Sequence, residues 1–174
     1  MLRNQILFFS LISFLFSACS CSKNPKQKSA VTIKQFALDD LSEVITKDNV
    51  EIDKNDSFDK KGSLKISTDK DIVIKLFDID ENVEDAKIVF SAKMKSKDLE
   101  GNSYLEMWVM TPDKKEFFSR GLDNAIKGNN NWGEYAIPFF LKKGEKITHI
   151  RLNLVIKGKG TVWIDDVKVE KVRN

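Results

Sequence analysis

Beyond position 21 the 174-residue chain has no cysteine, and it has a single histidine, His149. Its two cysteines, Cys19 and Cys21, lie together near the N-terminus, so the stretch long enough to fold cannot close an internal disulfide. An isolated histidine without a cysteine or second histidine nearby is a poor metal site and is expected as an exposed strand residue. Helical periodicity is absent as well: no stretch of useful length is amphipathic at the helical spacing, and no segment repeats. An excess of one charge is missing too. Of the 29 basic residues, Arg3, Lys23, Lys26 and Lys28 lie in an N-terminal stretch without acids; removing these four leaves 25 basic against 26 acidic residues from Ser29 onward. Lysine and aspartate alternate there instead of clustering, which argues against a nucleic-acid partner.

What is present begins with a leader. Arg3 is followed by an apolar run at residues 6–16, then by the small Ser17 and Ala18 and by Cys19. This is the layout of a secretory leader, too short for a comfortable membrane span. Phe16-Ser17-Ala18-Cys19 resembles the lipobox of bacterial lipoproteins, departing from it in Phe16, where that class usually has leucine. The resemblance implies that residues 1–18 are a lipoprotein signal peptide and that Cys19 is lipidated as the mature N-terminus. It also implies export and anchoring to the cell membrane. Ser20 stands where aspartate is associated with inner-membrane retention, which favours the outer membrane if the envelope is Gram-negative. Residues 19–30, polar and lysine-rich, read as a flexible tether that spans roughly 35–40 Å when stretched. Residues 31–174 are then expected as one domain, burying roughly two thirds of its chain surface.

That domain reads as strand after strand. Residues 31–37, 50–53, 63–68 and 71–78 are strand candidates, the last with Ile72, Ile74 and Leu76 on one face; residues 39–44 are expected to make one helical turn. Residues 86–94 alternate with Ile88, Phe90, Ala92 and Met94 inward, and residues 104–110 with Leu105, Met107 and Val109 inward. Thr111-Pro112-Asp113-Lys114 is a turn, returning through residues 116–119 as a hairpin. Residues 124–133 are expected as a long polar loop. The strand at residues 134–140 contains Pro138 and should end there or lie at an edge. Residues 147–156 alternate with Ile150, Leu152, Leu154 and Ile156 inward, residues 157–160 are expected as a tight hairpin loop, and residues 161–172 close the domain. Eight to ten short strands joined by polar turns imply an all-β, two-sheet antiparallel sandwich.

The runs YLEMWVMTPDKKEFFSRGL, NNNWGEYAIPFFLKKGEK and IRLNLVIKGKGTVWIDDVKVEK resemble a galactose-binding-like jelly-roll domain, the fold of many carbohydrate-binding modules. The closing TVWIDDVKV looks like the final strand of such modules, and Gly62-Ser63-Leu64-Lys65-Ile66 resembles an early one. The resemblance implies a sandwich over residues 31–172 and a ligand that is a sugar, another small molecule or a protein; fold alone does not choose.

The candidate ligand-binding residues are Glu106, Trp108, Arg120, Trp132, Arg151 and Asn153. Opposite Leu105 and Met107 one strand presents Tyr104, Glu106 and Trp108; the matching face of the other presents His149, Arg151 and Asn153. Convergence of the two faces would supply a flat aromatic surface with carboxylate, amide and guanidinium groups, which is what sugar recognition needs. Arg120 and Trp132 would form the rim. The competing reading makes Glu106 and Arg151 a cross-strand ion pair with Trp108 packed beside it. Phe117, Phe118, Phe139 and Phe140 are expected in the core or over a sheet edge. Asp165 and Asp166, with Asp53, Asp56 and Asp59, raise a structural calcium, which in modules of this fold commonly joins the first and last strands. No other cofactor is expected. Ser119 has no base partner, and Glu106 and Glu134, the acids a glycosidase reading would use, sit in ordinary alternating pattern. The expectation is a non-catalytic, lipid-anchored envelope protein binding a glycan or similar polar ligand; alternatives are a protein-interaction module of an envelope assembly and a small glycan-active enzyme.

Overall fold

The computed structural model describes residues 29–173, and every regular element among them is a β-strand. In chain order these are β1 (Ala30–Phe36), β2 (Val50–Asp53), β3 (Ser63–Thr68), β4 (Ile72–Glu84), β5 (Ala86–Met110), β6 (Glu116–Arg120), β7 (Ile126–Phe140) and β8 (Lys146–Arg173). The leader and Cys19 lie outside the described residues. All strand pairs are antiparallel.

The spine is one long ribbon of β5 and β8, paired from Ala86↔Arg173 to Met110↔His149. It turns a corner where residues 98–101 face residues 157–160. Asp98, Gly101, Gly158 and Gly160 there have φ of 51°, 119°, 89° and 142°. The two backbones cross so closely that a Cβ on Gly158 would stand 1.8 Å from the Glu100 carbonyl oxygen, and one on Gly101 2.1 Å from that of Lys157. Only glycine fits both the dihedral angles and the approach.

On one side of the corner the order is β4-β8-β5-β6; on the other, β3 (carrying β2) and β1 flank β8, while β7 flanks β5. The inner faces of both halves contribute to a single core containing Ile66, Ile74, Phe90, Met94, Met107, Leu154, Ile164 and Val169. The result is a two-layer sandwich, as the alternation implied, with the jelly-roll form that the resemblance implied. The inward sets expected for residues 86–94, 104–110 and 147–156 are all buried.

Three local expectations are corrected, and one is narrowed. Residues 39–44 make no helical turn. They form an irregular segment, after which the amides of Ile45 and Thr46 donate to the Leu76 and Lys75 carbonyls and cover part of the β4 edge. The polar stretch 124–133 is not a loop: from Ile126 it belongs to β7, and side chains replace a regular ladder there. Ser96 Oγ donates to the Gly128 carbonyl, Asn129 Oδ1 accepts the Asp98 amide and Asn130 Nδ2 donates to Ser96 Oγ. Residues 157–160 are not a hairpin loop, because β8 runs straight through them as the corner. Phe117, Phe118 and Phe140 are 48%, 50% and 65% exposed, so of the two places expected for them the core is excluded and they lie on the edge strands β6 and β7; of the four, Phe139 packs partly against the core. Pro138 does lie on an edge strand, where the Pro138 and Ala136 carbonyls accept from Ser119 Oγ and Asn124 Nδ2. In β4 a register slip between Lys75 and Phe77 turns Phe77 inward beside Ile74 and Leu76, and its ring stacks on Phe36.

Candidate functional site

The outward face of the β4-β8-β5-β6 half is built by alternation: side chains opposite the buried Leu105, Met107 and Val109 must point away from the core. Strand register then arranges them in rows. One row runs Lys75, Asn153, Glu106, Arg120; the next runs Asp78, Arg151, Trp108, Phe118.

Glu106 is the centre of this face and is only 5% exposed. Its Oε1 accepts from Trp108 Nε1 at 2.8 Å and from Asn153 Nδ2 at 3.0 Å, and its Oε2 accepts from Arg120 Nε at 2.5 Å. Burial pushes the Glu106 carboxyl up, but the Asn153 amide, the Trp108 indole and the Arg120 guanidinium together outweigh it and hold the group below the ordinary glutamate range. Glu106 is therefore an ionised acceptor that fixes three neighbours. Asn153 is 4% exposed, and its Oδ1 has no hydrogen-bond partner among the described residues.

Around this carboxylate lies a partly open aromatic surface. The Trp108 and Phe118 rings are 5.0 Å apart and tilted at 44°, and the Arg120 guanidinium lies 4.4 Å from the Phe118 ring centroid. Arg151 shares the face but not the network; its Nε donates to Asp78 Oδ1 at 2.8 Å. The ion pairs are thus Glu106–Arg120 and Arg151–Asp78, not Glu106–Arg151. His149 continues the face, with Nδ1 2.8 Å from Asp80 and Nε2 3.2 Å from Asp78.

The structure brings together Glu106, Trp108, Arg120 and Asn153, with Arg151 in the next row. It does not bring Trp132 to them. Trp132 Nε1 donates to Asp56 Oδ1 at 3.1 Å, and Lys95 Nζ contacts Asp56 Oδ2 at 2.5 Å, on the outward face of the other half. Trp163 does similar work there through Asp53. Both indoles pin residues 53–62 onto the sheet. Glu134 also lies on that half, paired with Lys93 at 2.7 Å, which together with Glu106 gives no flanking acid pair.

The aspartates first considered for calcium are engaged by backbone and side-chain donors. Asp165 is buried, and its two oxygens accept the backbone N–H groups of Phe58 (2.8 Å) and Asp166 (2.7 Å). Burial pushes its carboxyl up against the pull of those amides. Asp166 accepts from Gln35 Nε2, and Asp53 caps the amides of Asn55 and Asp56. Among the described residues no three acidic, histidine or cysteine groups are placed to hold a metal.

Phe118 and Asp78 belong to this face and escaped the sequence reading. Phe118 was recoverable by parity, since it shares its face of β6 with Arg120; but which residue it opposes depends on the hairpin register. That register is set by the expected Thr111–Lys114 turn, closed by Lys114 N donating to the Thr111 carbonyl, and by Thr111 N donating to the Lys115 carbonyl just beyond it. A separate cleft of about 700 Å³ opens beside the corner, lined by Thr68, Asp69, Asp98 and Lys159 among others, and no candidate residue lines it.

No protein-family model matches the chain, and no curated protein matches it in sequence. Solved structures do match in fold. The CBM22-1 xylan-binding domain of Paenibacillus barcinonensis Xyn10C aligns with a TM-score of 0.55 at 10% identity, covering 84% of this chain and 98% of that one. The C-terminal family 22 carbohydrate-binding module of Clostridium thermocellum Xyn10B aligns with a TM-score of 0.53 at 9% identity, covering 82% and 95%. The enzymatically active domain of bacteriophage CBA120 tailspike protein 4 aligns with a TM-score of 0.56 at 12% identity; it covers 84% of this chain, which spans only 20% of the tailspike chain. At these identities the likeness is one of fold: the chain has the jelly-roll architecture of carbohydrate-binding modules.

Proposed function

We propose that the chain is a non-catalytic binding protein that takes a carbohydrate or a similar polyhydroxylated ligand on the Glu106 face, held outside the cytoplasm by a lipid on Cys19. The observation that carries the ligand reading is the pairing of the Trp108–Phe118 surface with the Glu106–Asn153–Arg120 network. A sugar presents C–H faces that pack on aromatic rings, and hydroxyls that both donate and accept. The rings serve the first, while the terminal amines of the partly exposed Arg120 serve the second. Glu106 acts by orientation, since a carboxylate with three donors has little capacity left for a ligand. Its lowered carboxyl pKa also suits binding better than proton donation, which in glycoside cleavage requires a raised one. The fold shared with two family 22 modules supports the same class of ligand by analogy.

The test is a glycan panel followed by titration calorimetry on the purified full chain. At least one glycan class should bind, and Trp108→Ala should weaken it by about tenfold or more, the loss of an aromatic anchor. A panel without binders, or affinity indifferent to Trp108→Ala, would sink the proposal.

A further inference from the structure

β6 pairs with β5 and stands at the end of its half-sheet. It is five residues long, Glu-Phe-Phe-Ser-Arg, with no proline and no register slip against β5. Edge strands are usually protected from joining others by shortness, charged side chains, a proline or a bulge. β6 is short and carries a charge at each end, but no proline or bulge interrupts it, and Phe117 and Phe118 between those charges are half exposed on opposite faces.

The direction of its backbone groups follows from the bonds that flank it. Gly121 N donates to the Leu105 carbonyl, and Thr111 N donates to the Lys115 carbonyl. In an antiparallel ladder the bonded residues alternate, so Phe117 and Ser119 also turn their N–H and C=O toward β5. Glu116, Phe118 and Arg120 turn theirs to the free edge.

Those three residues read as their own complement. If a second β6 lies antiparallel about a two-fold axis at Phe118, Phe118 faces the second copy's Phe118, and Glu116 faces the second copy's Arg120. All three side chains of each copy then lie on the same outward face, where opposite charges on paired strands attract and exposed aromatic rings cover each other. Arg120 binds Glu106 through Nε, and its two terminal amines carry four further N–H donors, enough for the second copy's Glu116 beside a ligand hydroxyl. The three outward residues per copy supply about six ladder hydrogen bonds.

We infer that the occupant of the β6 edge is a second copy of this chain, forming a two-fold dimer that joins the two β4-β8-β5-β6 half-sheets into one continuous sheet. A symmetric partner is favoured because the charge pattern matches only when the same strand returns in the opposite direction. The two Trp108–Phe118 surfaces then become a single aromatic strip across the axis. This inference does not depend on the nature of any ligand.

Sedimentation equilibrium of the purified full chain in detergent, from micromolar to millimolar protein, is the test. The expected result is a reversible monomer–dimer equilibrium. Glu116→Lys, which sets like charges against the second copy's Arg120, should raise its dissociation constant about tenfold or more. Phe118→Pro removes an N–H that points to the free edge, so the fold, followed by circular dichroism, should persist while the dimer is lost. Three outcomes overturn the inference: a monomer at all concentrations, whether the edge is vacant or takes another protein's strand; a dimer indifferent to both variants; or a dimer lost with Phe118→Pro but unchanged by Glu116→Lys, which excludes the two-fold register.

Discussion

Asn153 and Glu106 stand directly opposite each other on β8 and β5, with Nδ2 donating to Oε1 at 3.0 Å, and both are buried on a face that points away from the core. A carboxylate withdrawn from water on an outer face is tolerated because three donors replace its hydration. This makes Glu106 both a stability determinant and the organiser of its neighbours.

Glu106→Ala leaves the indole, the amide and the guanidinium without their acceptor. The expected loss is about 2–4 kcal/mol of unfolding free energy by urea titration. Glu106→Gln keeps one accepting oxygen and should lose less.

The same carboxylate should give a pH-dependent signature. Its folded-state value lies below its unfolded value of about 4.3, so its contribution is present above that value and is lost as pH falls through the depressed folded value. The stability gap between wild type and Glu106→Gln should be widest at neutral pH and should narrow progressively below about pH 4. Asp165 runs the other way: burial raises its folded value, so its unfavourable contribution grows as pH rises through the carboxylate range. Subtracting the Glu106→Gln curve from that of wild type separates the two.

Gly158→Ala and Gly101→Ala should each destabilise by about 3 kcal/mol or more, or prevent folding, since both the dihedral angle and the crossing backbone oppose a Cβ. Gly144→Ala is the control. Its φ is also positive, at 84°, but nothing lies within 4 Å of the added carbon, so about 1 kcal/mol is expected. Thermal unfolding of the three variants measures the difference.

Trp132→Phe should leave ligand affinity unchanged while removing the bond to Asp56. The expected cost is about 1 kcal/mol, with faster proteolytic cleavage in residues 53–62. A drop in glycan affinity instead would return Trp132 to the binding face.

Cys19→Ser should leave the precursor without lipid and release it from membrane fractions. Mobility of the processed form and metabolic labelling with a fatty acid are the readouts.

Much of this protein was legible from its residues. Period-two alternation identified the inward sets of β5 and β8, because a half-buried strand must place every second side chain against the core. Alternation also placed Glu106 and Trp108 on one outer face and Arg151 and Asn153 on another, whatever lay beside them. What it cannot carry is which strands are neighbours. The glycines at 158 and 160 suit a hairpin and a ribbon corner equally, as both need positive φ; only the crossing with Glu100 and Gly101 decides for the corner. Arg120 became the partner of Glu106, Arg151 that of Asp78 and Trp132 that of Asp56 through register and long-range packing. Pattern along one strand is local and follows from the pleat. Partnership across strands is non-local, and the folded sandwich alone determines it.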